Sequence, residues 1–203
     1  MIRNNAPRKS PTDERDDGTR RIGLPIGLCI VQLILAYEWL VSGINKLINP
    51  NFTVQLASTL RQSMDGNPYG WYVAFLRQVV LPHASIFGLL TELGELAIGA
   101  TLAAGAVLWI WRPQSSITPI ASRAASLALA GAAFLSLNYF FQGGSPLPWI
   151  NAGNAFNEGV DIDILIPLLA VTLLVANVRA AGGATARTSA TPVRDWGGMP
   201  WTA

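Results

Sequence analysis

The run IGLPIGLCIVQLILAYEWLVSGINK, residues Ile22 to Lys46, decides how the rest of the chain is read. Its 25 residues hold one charge, Glu38, before the closing lysine. About 20 mainly apolar residues cross the hydrocarbon core of a bilayer. In lipid such a run satisfies its own backbone hydrogen bonds only as a helix. Three further runs have the same character. Ala84 to Trp111 is interrupted by Glu92 and Glu95, and Ala124 to Phe141 carries no charge. Ile164 to Val178 is short unless it extends back through Asp163 and Asp161. The expected fold is an all-α membrane protein. It is a four-transmembrane-helix bundle over residues 22–178, with helices at about 22–48, 84–111, 119–141 and 161–179.

The charge distribution agrees. The 203 residues include 26 charged ones, 13% of the chain, against roughly 25% in soluble domains. Ten of them lie in residues 1–21 and four from Arg179 onward, which leaves twelve for the 157 residues between. A water-soluble fold cannot coat itself with so few. The first 21 residues mix Arg, Lys, Asp and Glu with Pro, Asn, Ser and Gly, and cannot bury enough apolar surface to order themselves. They read as a disordered tail, and the polar stretch before a long apolar run does not fit a signal peptide. Residues 180–203, rich in Gly, Ala and Thr, read as a second disordered tail. No basic cluster interleaved with aromatics points to nucleic acid. One cysteine, Cys29, and one histidine, His83, rule out a disulfide framework, a CxxC pair, an iron–sulfur centre and a bis-histidine haem, and no metal site is indicated.

Arg20 and Arg21, Arg112 and Arg123, and Arg179 and Arg187 flank one set of helix ends. The loop between helices three and four has only Glu158, Asp161 and Asp163. By the positive-inside rule both termini are cytoplasmic and loops one and three face outward. Loop one has a helical stripe, Phe52, Leu56, Leu60 and Met64, as in an amphipathic interfacial segment. Asn67-Pro68 breaks it, and Trp71 and Tyr72 then suit headgroup level. Loop three reads as an irregular cap carrying Trp149. Small-residue stripes (Ala124, Ala128 and Ala132; Gly94, Gly99 and Gly105) suit close helix packing.

Charge at bilayer depth costs roughly 2.5–3.5 kcal/mol per residue on insertion scales, so intramembrane carboxylates are candidate functional groups. Glu38, Glu92 and Glu95 are the candidates for proton handling. Glu38 lies eight residues before Lys46, about 12 Å along a helix. Glu92 lies nine residues beyond His83, so the two glutamates are expected at one depth. Three carboxylates together in low dielectric cannot all stay ionised, and a group so poised takes up or releases protons. A quinone site needs that, since two protons accompany two electrons. Asn45, Lys46, Arg77, His83 and Asn138 complete the candidate site, with Lys46 and Arg77 or His83 attracting an anion. The alternative for each is plain: packing for the glutamates, interfacial anchoring for Arg77 and His83, and belt or core positions for Tyr37, Trp39 and Tyr139.

Three stretches carry a family resemblance. Trp39-Leu-Val-Ser-Gly-Ile-Asn-Lys46 with Leu-Ile-Asn-Pro50-Asn-Phe52 resembles the first-helix signature of the DoxX/DoxD membrane proteins. Glu92-Leu-Gly-Glu95-Leu-Ala-Ile-Gly99 is similar to that family's second-helix Gly-Glu motif, and Pro68-Tyr-Gly-Trp71-Tyr72 to its DoxD-type loop. The matching positions are Gly43, Lys46, Pro50, Glu95 and Gly99. The resemblance implies a four-helix inner-membrane protein of bacteria linked to redox chemistry. Some members of that family are subunits of thiosulfate:quinone oxidoreductases. The expectation is a quinone-linked subunit that passes electrons from a small sulfur anion such as thiosulfate to quinone, alone or through partner subunits. No haem or flavin is indicated. The alternative is a non-catalytic anchor or accessory subunit of a larger respiratory or photosynthetic complex. A small-solute transporter is weaker, because no pair of interrupted helices marks inverted repeats.

Overall fold

Six helices build the described part of the chain. They are α1 (Ile26–Leu47), α2 (Phe52–Met64), α3 (Gly70–Phe75), α4 (Ala84–Trp111), α5 (Thr118–Gly143) and α6 (Ile162–Ser189). The computed structural model describes residues 24–113, 115–145 and 162–189, with side chains through residue 181. Residues 1–23, 114, 146–161 and 190–203 lie outside it, and with them the whole first expected tail, most of the second, Trp149, Glu158 and Asp161. Four helical stretches are long and apolar enough to cross a membrane: Ile26–Leu47, Gly70–Trp111, Thr118–Gly143 and Ile162–Ala181. The protein is an all-α membrane protein with four such helices among its described residues.

The helices pack in chain order, α1 on α4, α4 on α5 and α5 on α6, with α6 returning to touch α1. Their shared core runs through Leu35, Ala36 and Trp39 of α1, Ile98 and Leu102 of α4, Ala125, Leu129 and Ala132 of α5, and Ala170 and Leu173 of α6. Large apolar side chains such as Ile30, Leu90, Leu127 and Leu168 point outward, as they must where the surroundings are hydrocarbon. Packing in lipid depends on close approach. At Gly99 an added Cβ would lie 2.7 Å from Leu40 Cγ and 3.0 Å from the Ala36 carbonyl oxygen, and at Gly43 2.8 Å from Leu96 Cγ. Glycine is required at both. Gly94 has no such neighbour, and Ala124 is exposed whereas Ala132 is buried, so the expected alanine stripe is not one packed face. The buried face of α5 is instead Ser122, Ala125, Leu129, Ala132, Ser136 and Phe140.

Local chemistry sets the ends. The Thr118 hydroxyl donates to the Arg112 carbonyl, Pro119 sits in the first turn, and Gly144 closes α5 at φ +66°. The Asn67 side-chain amide donates to the carbonyls of Phe141 and Gln142, tying loop one to the end of α5. Pro167 lies inside α6 and has no N–H for the carbonyl of Asp163. The Ser136 hydroxyl of α5 donates to that carbonyl instead, at 3.1 Å.

Three expectations change. α6 continues through Ser189, where a disordered tail was expected from Ala180; the alanines there are strong helix formers and carry the last span onward. The α2 stripe does not lie open to an interface. Leu60 is buried, and Leu56 and Met64 pack with it against Tyr72, Leu76 and Val80. Tyr72 is accordingly a core residue, while Trp71 is exposed. α3 runs without a break through a π-helical segment, Leu76–Val80, and a 3₁₀ turn, Leu81–His83, into α4. Together with α2 it caps one end of the bundle.

Candidate functional site

Beneath that cap lies a cavity of about 640 Å³. α1 contributes Glu38, Trp39, Ser42 and Lys46, and α5 contributes Phe134, Asn138 and Tyr139. α2 forms its roof through Phe52, Leu56 and Leu60, and Asp163 and Ile166 of α6 close another wall. The size suits a small-molecule ligand, and mostly apolar walls with a few polar groups are what such sites show.

One corner is ionic. Lys46 Nζ donates to Glu95 Oε2 at 2.7 Å, to Glu95 Oε1 at 2.9 Å and to Ser42 Oγ at 2.7 Å. The Tyr139 hydroxyl donates to Glu95 Oε1. Glu95 is completely buried and Lys46 partly exposed, so the carboxylate lies behind the cavity wall while lysine and tyrosine face the space. Lys46 also sits 5.6 Å from the centre of the Tyr139 ring and 5.8 Å from that of Phe52. A buried ion pair is tolerable only when further hydrogen bonds satisfy its remaining valences. Here serine and tyrosine do so.

The structure brings Glu38, Lys46 and Asn138 to the cavity and places Glu95 directly behind it. Asn138 accepts from the Tyr72 hydroxyl and donates to the Phe134 carbonyl. The other candidates stand apart. Asn45, Arg77 and His83 are exposed and do not line the cavity, and Glu92 is buried outside it with no hydrogen bond among the described residues. The anion-attracting group of Lys46 with Arg77 or His83 therefore does not assemble. All three N–H groups of Lys46 are already engaged, and its charge is matched by Glu95.

The expected depth match also fails. Gly43 abuts Leu96 and Gly99 abuts Leu40, so residues level on these antiparallel helices have numbers adding to 139. Glu38 is level with Thr101, and Glu92 with Leu47, nine residues or roughly 13 Å from Glu38 along α1. His83 was a false zero. The helical chain continues beyond it back to Gly70, so His83 projects about ten residues past Lys46.

Two groups were missed. Tyr139 was placed in a belt or core, because only helix rotation shows that it meets Glu95. A second polar set, in the half away from the cap, joins Gln32, Ser122 and Asn177. Trp39, only 3% exposed and lining the cavity, has an indole N–H without a hydrogen-bond partner among the described residues. Among the described residues no three His, Cys, Asp or Glu side chains gather as metal ligands.

Searches with protein-family models, curated proteins and solved structures give no match to this chain.

Proposed function

We propose that this chain is a quinone-binding membrane subunit of DoxX/DoxD type, with the cavity beneath α2 holding the quinone head. The observation that carries the reading is the juxtaposition of an apolar, membrane-embedded cavity with the Lys46–Glu95–Tyr139 corner. A quinone head is a flat apolar ring with two carbonyl acceptors, and it suits aromatic walls with a few donors. Lys46 and Tyr139 are the donors nearest it, and a quinone carbonyl would take one of their protons in exchange for Ser42 or Glu95. Four of the five positions that carry the family resemblance, Gly43, Lys46, Glu95 and Gly99, meet at the α1–α4 contact beside this cavity.

Reduction of quinone to quinol takes up two electrons and two protons. Tyr139 and Lys46 hold hydrogen-bonded protons at the cavity wall, and Glu95 acts through them as a positioning residue that holds both in place. The electrons come from a partner subunit with its own redox group, which oxidises the small sulfur anion. Among the described residues the cavity offers no free cation to seat such an anion.

The test is binding of a short-chain quinone by the purified full chain in lipid nanodiscs, read by tryptophan fluorescence and native mass spectrometry. Tyr139→Phe keeps the ring and the Lys46–Glu95 pair but removes the donor. It is expected to weaken quinone binding about tenfold, the equivalent of 1.4 kcal/mol, and to lower stability by about 1.5–3 kcal/mol through the lost bond to buried Glu95. Stable co-migration of the wild type with a larger complex, with no quinone bound in isolation, would overturn the proposal in favour of an anchoring role.

A further inference from the structure

The ionic corner leaves one charge over. Lys46 and Glu95 neutralise each other, but Glu38 has no ion pair or hydrogen bond among the described residues. It is exposed on the surface of α1 and also lines the cavity, so it stands at the cavity's edge. Its level, opposite Thr101, is well inside the span of α1. A carboxylate at that depth is costly and is ordinarily paired. Nothing in the described chain pairs it. Asp163 lines the same wall, with interactions of its own. Around them the walls are aromatic, including Trp39, Phe75, Phe87 and Phe134. Ring faces attract cations, most strongly where water is excluded.

From this we infer that the cavity is a binding site for a lipophilic organic cation, such as a quaternary onium or a protonated hydrophobic amine, with Glu38 as its counter-ion. This goes beyond the quinone reading and does not depend on it, since it rests on a different residue and on the sign of the cavity's charge. In a low-dielectric setting a single opposite charge counts for far more than in water. The apolar body of the ligand is held by the aromatic walls, and its charge supplies the partner that Glu38 lacks. An anion of the same shape meets repulsion from Glu38 and finds no unpaired cation among the described lining residues, because all three donors of Lys46 are engaged.

The experiment uses the full chain in nanodiscs, with empty nanodiscs as the partition control. Tetraphenylphosphonium and tetraphenylborate, nearly identical in shape and opposite in charge, are titrated against tryptophan fluorescence. The wild type is expected to bind the cation at least tenfold more tightly than the anion. Glu38→Gln should lose tenfold or more in cation affinity, and Glu38→Asp should restore most of it. Circular dichroism establishes that each variant is folded. Failure of the wild type to bind the cation, equal affinity for the two ions, or unchanged cation affinity in a folded Glu38→Gln would each overturn the inference.

Discussion

The two halves of the bundle both bury polar side chains, and they do so in opposite ways. Away from the cap, the Gln32 side-chain amide donates to the Leu102 carbonyl at 2.9 Å and Asn177 donates to Gln32 Oε1 at 2.9 Å. Ser122 donates to Asn177, and all three residues are fully buried. The set is neutral, closed on itself, and ties α1, α4, α5 and α6 together. Under the cap, Lys46, Glu95 and Tyr139 are charged or adjoin charge, and they border open space. Amides and hydroxyls fix helix register without the desolvation cost of ions. A sealed neutral cluster is therefore sufficient to hold the bundle together, and the costlier charged cluster beside a cavity needs another reason. The ligand proposed above would supply that reason.

The largest effect should come from breaking the charged cluster on one side only. Lys46→Met leaves Glu95 buried without its counter-charge, and losing one partner of a buried pair costs about 3–5 kcal/mol. The double variant Lys46→Met/Glu95→Leu removes both charges and should regain most of that stability while ligand binding stays lost. Unfolding in mixed micelles, followed by circular dichroism, measures both. If the double variant stays as unstable as the single one, the pair holds the bundle together and the contrast between the halves fails.

Next is the contact that brings the charged partners within reach. Gly99→Val places carbon against Leu40 and the Ala36 carbonyl, and overpacking of this kind costs about 1–3 kcal/mol. Because α1 must move away from α4, Lys46 is drawn from Glu95 and quinone affinity falls as well. Gly94→Ala, in the same helix, meets only Leu135 Cδ1 at 3.8 Å and should change stability by less than about 0.5 kcal/mol. Equal costs at the two glycines would mean that the α1–α4 approach is not limited at Gly99.

These glycines also explain what the sequence could and could not disclose. Four apolar runs are visible because lipid demands them along a single helix. Lys46 and Glu95 stand out because charge is rare there. Which of them meet depends on rotation and register between helices, and those are set by contacts such as Gly43 with Leu96. No periodicity within one helix contains that information. Tyr139 therefore passed for a core residue, and Glu38 and Glu92 passed for neighbours on a ruler zeroed at His83. The Gln32–Ser122–Asn177 cluster escaped notice for a related reason. Its members lie 90 and 55 residues apart in the chain, and each alone is an unremarkable polar residue in a span.

Gln32→Leu tests the sealed half. It removes the acceptor for Asn177 and the donor to the Leu102 carbonyl. Interhelical hydrogen bonds of this kind in membranes contribute about 0.6 kcal/mol on average and up to roughly 1.7. A loss in that range is expected, with tetraphenylphosphonium and quinone affinities unchanged. A drop in either affinity would show that the two halves are coupled.

Tyr72→Phe probes the half under the cap with a similarly small change. The hydroxyl donates to Asn138 at 3.1–3.2 Å, while the ring is held independently by Trp71, Phe75 and Phe141. Removing the oxygen keeps the ring packing, and the expected cost is at or below about 1 kcal/mol. Asn138 lines the cavity, however, and loses one of the two partners that fix its amide, keeping the bond to the Phe134 carbonyl. Quinone affinity should therefore fall by a larger fraction than stability does. If stability falls as far as in Gln32→Leu while affinity stays unchanged, the hydroxyls around the cavity act as the sealed cluster does, and the two halves differ in charge alone.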